Sequence, residues 1–166
     1  MIIKMVSHDH DVEFLQHDKT ILEGHIGSGK SVQLEKIALK LYAEGVPFVL
    51  ITTFHDTGTF LENPMRRPLQ SSRDFEAKFI ENKCDDALIV QSHCEEVSEK
   101  VLEQIKVMLE KGAVLMVDET SYVLENEAIR TILHTTLKKD HQGVIITCQS
   151  IDDLERYLEN KNKDIL

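Results

Sequence analysis

Residues Gly24-His25-Ile26-Gly27-Ser28-Gly29-Lys30-Ser31 spell G-x-x-x-x-G-K-[ST]. This pattern constrains the fold because it works in only one local setting. A buried strand must deliver the chain to a glycine loop, and a helix must begin at the lysine. The glycines then let backbone N–H groups close around phosphate oxygens, and the positive end of the helix dipole points at the same spot. Lys30 can reach the β and γ oxygens of a nucleoside triphosphate, and the Ser31 hydroxyl can ligand Mg²⁺.

The flanking residues supply that setting. Lys19-Thr20-Ile21-Leu22-Glu23 is short, partly β-branched and suited to a buried strand. After the motif, Leu34, Ile37, Ala38 and Leu41 recur at i, i+3, i+4, i+7, so a helix starts at Lys30. Gly45 and Pro47 close it before a second apolar run, Phe48-Val49-Leu50-Ile51. The alternative, a fortuitous glycine turn in an ordinary α/β domain, does not call for this order of elements.

A second landmark is the apolar strand Ala113-Val114-Leu115-Met116-Val117, which runs into Asp118-Glu119. An acidic residue at the tip of a buried parallel strand can hold a Mg²⁺-bound water, and Glu119 can be the base that activates water against the γ-phosphate. The bland alternative is a helix N-terminus that favours carboxylates. A third strand, Gly143-Val144-Ile145-Ile146-Thr147-Cys148, ends in Gln149-Ser150. Gln149 is a γ-phosphate sensor candidate, with a polar helix-capping strand end as the alternative; Ser150 is the better cap, which leaves Gln149 free.

The rest of the pattern is strand and helix in alternation. Met1 to Val6 is an edge-strand candidate, followed by the turn Ser7-His8-Asp9-His10-Asp11, read as solvated because no matching metal ligands follow. Thr52 to Asp56 leads into an exposed loop, Asn63-Pro64-Met65-Arg66-Arg67-Pro68. Its arginine pair fits a solvated turn or a phosphate contact. Ala87 to Gln91 reads as a strand. Helices are expected from Glu95 to Lys111 (Val97, Val101, Ile105, Met108, Leu109 inward), Asn126 to Lys138 (Ile129, Ile132, Leu133) and Ile151 to Asn160 (Leu154, Tyr157, Leu158). The expected fold class is α/β, with a mostly parallel sheet covered on both faces; the likeness of the glycine loop to those of P-loop NTPases implies their three-layer sandwich of RecA-like ASCE type.

Bulk properties narrow the function classes. A chain of 166 residues is expected to form one domain, residues 1–166. No apolar run approaches the roughly 20 residues needed to span a bilayer, and no signal stretch opens the chain, so a cytoplasmic protein is expected. Cys84, Cys94 and Cys148 lack metal or disulfide spacing and read as reduced, mostly buried thiols. With 19 basic against 29 acidic residues, the net charge is −10. That runs against gripping DNA by one broad basic face. DNA contact would have to be local, through loops of an assembly or with a partner.

The ordered landmarks GHIGSGKS, VLMVDE and VIITCQS resemble those of the FtsK–HerA superfamily of DNA-pumping ATPases, which includes conjugation coupling proteins and some viral packaging ATPases. The likeness covers roughly residues 12 to 155. It implies ATP as substrate, Mg²⁺ as cofactor, and phosphate and metal roles for Lys30 and Ser31. Asp118 would be the metal partner, Glu119 the base and Gln149 the sensor. It also implies a hexameric ring, each site completed by a neighbour's arginine. Where many relatives carry that arginine just before the sensor strand, this chain has Lys138-Lys139. Arg130, Arg156 or a lysine could serve instead. The family's final strand is expected to be short or missing. Two other readings stay open: a nucleotide-gated interaction module with slow turnover, and a small-molecule kinase of thymidine-kinase-like type, which lacks support from a zinc-binding cysteine quartet.

Overall fold

The computed structural model describes residues 1–6, 11–52, 78–79, 87–91, 97–118 and 120–159. Expectations that fall on Ser7 to His10, Thr53 to Pro68, Cys84, Cys94 and Glu119 lie outside the described residues. The rest form one α/β unit around a single sheet.

Seven strands run in the order β1-β2-β7-β6-β3-β5-β4. They are β1 (Ile2–Met5), β2 (Lys19–Glu23), β3 (Phe48–Thr52), β4 (Lys78–Phe79), β5 (Ala87–Gln91), β6 (Val114–Val117) and β7 (Val144–Cys148). All neighbours pair in parallel except the two-residue β4, which runs antiparallel to β5. The sheet interior is almost wholly apolar: β3, β6 and β7 are buried along their entire lengths. A strand covered by helices on both faces requires that composition.

Among the described residues, one helix covers one face. α1 (Lys30–Ala43) buries Leu34, Ile37, Ala38 and Leu41 against Leu22, Leu50, Met116 and Ile145. On the other face lie α2 (Glu99–Glu110), the one-turn α3 (Thr120–Val123), α4 (Glu127–Leu137) and α5 (Ile151–Glu159). Their buried residues meet Ile21, Ile51, Leu115, Val117 and Ile146. Residues alternate between the two cores along β2, β3, β5, β6 and β7, as a period of two demands. None of the helices in the described residues is long and apolar enough to cross a membrane.

Helix boundaries follow their caps. α2 begins at Glu99, later than its apolar pattern indicates, because the Ser98 hydroxyl accepts the Val101 N–H at 3.4 Å and sets the first turn there. Asn126 caps α4 in the same way, accepting from Ile129 at 3.1 Å. α1 ends through Glu44 and a left-handed Gly45.

Residues 11–18 strap the α1 side of the molecule. Asp11 pairs with Lys36 at 2.5 Å, the Val12 N–H donates to Gln33 Oε1 at 3.1 Å, and Phe14 is buried. The Lys36 ammonium holds the Asp11 carboxyl below the usual carboxylate range. The strap crosses closely over Gly143, where a Cβ would sit 2.0 Å from the Gln16 carbonyl oxygen. Because the obstacle is backbone, Gly143→Ala is expected to cost about 1–3 kcal/mol, the usual penalty for overpacking. A denaturant midpoint unchanged from wild type would contradict this close approach.

Candidate phosphate-binding site

The C-terminal ends of β2, β6 and β7 lie together, and Gly24 to Ser31, Asp118 and Gln149 gather there. β2 delivers the chain to Gly24, whose N–H donates to the Cys148 carbonyl of β7 at 3.2 Å. Gly24 is buried, and a Cβ on it would lie 2.4 Å from the Ser28 hydroxyl, so the loop folds tightly over this residue. Gly27 and Gly29 take φ values of 81° and 90°, a conformation that favours glycine. Gly29 is the N-cap of α1, with Lys30 in its first turn. His25, Ile26 and Gly27 are exposed at the loop crest, while Ser28 is buried beneath it.

Lys30 curls back along the loop. Its Nζ donates to the carbonyls of Gly24 at 2.6 Å and His25 at 2.9 Å. The ammonium is therefore held over the loop that it would share with an anion. Ser31 points the other way and donates through Oγ to Asp118 Oδ1 at 3.3 Å.

Asp118 stands just past the tip of β6, where its N–H donates to the Ile51 carbonyl of β3 at 2.9 Å. Its carboxylate is buried and faces α1, two residues beyond Met116 on the same side of the sheet. α3 begins at Thr120, so the Asp118-Glu119 pair also precedes a short helix, as the bland alternative has it. The carboxylate nevertheless accepts from Ser31 and, at 2.6 Å, from the Thr147 hydroxyl.

Strand order explains why these groups meet. β7 lies between β2, which carries the glycine loop, and β6, which carries Asp118. The position on the far side of β2 is taken by β1, from the N-terminal end of the chain. Gln149 is exposed one residue past β7, beside the start of the loop, since Glu23 pairs with Cys148.

Ser150 stands at the N-cap position of α5, where its carbonyl accepts the Leu154 N–H at 3.2 Å, the first bond of the helix. The Ile151 N–H donates to Glu23 Oε1 at 3.2 Å, so the end of β2 before the loop also ties down the start of this helix. Glu23 also helps explain Cys148: burial first, then the Glu23 charge, push its thiol up to about 11, with Lys30 opposing. Cys148 thus remains a protonated, buried thiol at neutral pH.

Sequence reasoning missed two polar neighbours. Thr52 ends β3 as a buried polar residue, and the Thr120 hydroxyl donates to the Thr147 carbonyl at 2.9 Å. A polar residue at the end of an otherwise apolar strand was the available signal. Of the candidate cations, Arg130 is tied down by donating to the Leu124 carbonyl at 2.7 Å. Arg156 is exposed on α5, in a loose pair with Asp153 at 3.7 Å, and Lys138 and Lys139 are exposed after α4.

No protein-family model, curated protein or solved structure matches this chain. The chemistry of the site rests on its own residues. The donor set at the base of the loop is a hydroxyl and a carboxylate, both hard oxygens. That suits Mg²⁺, which is commonly held by one or two carboxylates together with substrate phosphates. Among the described residues no cluster of three or more His, Cys, Asp or Glu could form a dedicated protein cage.

Proposed function

We propose that this chain binds and hydrolyses Mg²⁺-ATP in a P-loop NTPase domain of RecA-like ASCE type. The observation that carries the reading is one geometry: a G-x-x-x-x-G-K-S loop with Ser31 in hydrogen-bond reach of a buried strand-tip carboxylate, Asp118, across one intervening strand.

In this reading the backbone N–H groups of Gly24 to Ser31 and the α1 N-terminus bind the phosphates. Lys30 exchanges its bonds to the Gly24 and His25 carbonyls for bonds to β and γ oxygens. Ser31 and Asp118 would hold Mg²⁺, which when bound neutralises phosphate charge. Glu119 accepts a proton from the attacking water, and Gln149 hydrogen-bonds the γ-phosphate or that water. Gln149→Ala is expected to lower turnover while leaving ATP affinity within about twofold, because it removes a contact to the reacting groups alone. Unchanged turnover would remove Gln149 from the site.

The working context we propose is the DNA-translocase type, acting in DNA transfer, segregation or packaging. It is supported by the three motifs in their order and by the exposed Gln149 beside the loop. Arg156, Lys138 and Lys139 are the better-placed cations for completing a neighbour's site, since Arg130 is engaged within its own chain. Phosphate release with and without double- or single-stranded DNA, alongside light scattering, tests this part. DNA-stimulated turnover in a ring-sized particle is expected. Slow, DNA-indifferent turnover in a monomer would favour a nucleotide-gated interaction module, a role suited to the net charge of −10.

A further inference from the structure

We infer that Thr147 is a positioning residue that aims the Asp118 carboxylate toward Ser31, an inference that rests on the Mg²⁺-ATP reading above. Extending the β6–β7 register by one pair from Val117 and Ile146 brings Asp118 beside Thr147. Both side chains then lie on the α1 face of the sheet, in line with Met116 and Ile145. The Thr147 hydroxyl donates to Asp118 Oδ1 at 2.6 Å, and Ser31 donates to the same oxygen at 3.3 Å. The shorter bond comes from a side chain with no solvent exposure, on a strand buried throughout.

A second contact closes the arrangement. β6 ends at Val117, so its ladder with β7 stops before the Thr147 carbonyl. On the other side of β7 the Cys148 carbonyl is taken by the Gly24 N–H. The Thr147 carbonyl instead accepts from the Thr120 hydroxyl at 2.9 Å. Thr147 therefore grips the turn after β6 twice, through its side chain to Asp118 and through its carbonyl to Thr120. A carboxylate that would bind a metal is often held by such an outer hydrogen bond, which limits its rotation before the metal arrives. The hydroxyl also stabilises the charge-bearing oxygen in a buried setting.

The test uses Thr147→Val, which removes the hydroxyl at nearly constant volume, and Thr147→Ser, which keeps it. Mn²⁺ binding in the presence of ADP is read by electron paramagnetic resonance, and ATP affinity is read separately in chelator. Thr147→Val is expected to weaken Mn²⁺ binding by about tenfold or more, the usual effect of removing an outer-shell partner. Metal-free ATP affinity should stay near wild type, and Thr147→Ser should recover most of the Mn²⁺ affinity. If Thr147→Val does not fold, Thr147→Ala is judged by the same criterion. Wild-type Mn²⁺ binding in the hydroxyl-free variant would overturn the positioning role. Absence of nucleotide binding by the wild type would overturn the Mg²⁺-ATP reading itself.

Discussion

Lys30→Ala is expected to weaken ATP binding by about 10- to 150-fold, the equivalent of the roughly 1.5–3 kcal/mol carried by a charge-assisted hydrogen bond. The reason is local. Lys30 Nζ sits over the loop on the Gly24 and His25 carbonyls, and no other described residue donates to those carbonyls through a side chain. In the nucleotide complex the same ammonium would face phosphate oxygens, where a charged donor is worth about twice a neutral one. Equilibrium titration with a fluorescent ATP analogue reads the change. The sheet should be untouched, because Lys30 lies in the first turn of α1 and outside both cores. Affinity equal to wild type would separate the loop from nucleotide binding.

Glu119→Gln should leave ATP bound and stop turnover. General-base assistance contributes on the order of 100- to 10,000-fold, and an amide of the same shape cannot accept the proton. The expected pattern is a fall in kcat with nucleotide affinity kept, which marks an interaction made in the transition state. Equal loss of affinity would contradict the base assignment. The neighbouring Asp118 is held by Ser31 and Thr147, so the two adjacent carboxylates should give different variants. Asp118 variants should lose metal binding, whereas Glu119→Gln should not.

The glycine loop makes β2 and α1 legible in the sequence, because its chemistry demands a strand on one side and a helix on the other. Lys19–Glu23 and the helix start at Lys30 appear where that demand puts them. Asp118 is legible for a similar reason, as an acidic residue ending a wholly apolar strand. Contacts between distant strands are not. The Thr147–Asp118 bond depends on β7 lying next to β6, and strand order is a property of the folded sheet. The Glu23–Ile151 bond joins residues 128 positions apart, so no local pattern announces it. Gly143 is similar: the strap over it emerges only in the folded chain, where the Gln16 carbonyl lies above its Cα.

The most direct test of the central claim is phosphate release from Mg²⁺-ATP by the wild-type chain, with Glu119→Gln measured in parallel. Turnover in the wild type, lost in Glu119→Gln while that variant still binds ATP, is the predicted result. No release by the wild type, with or without DNA, or release unaffected by Glu119→Gln, would contradict it.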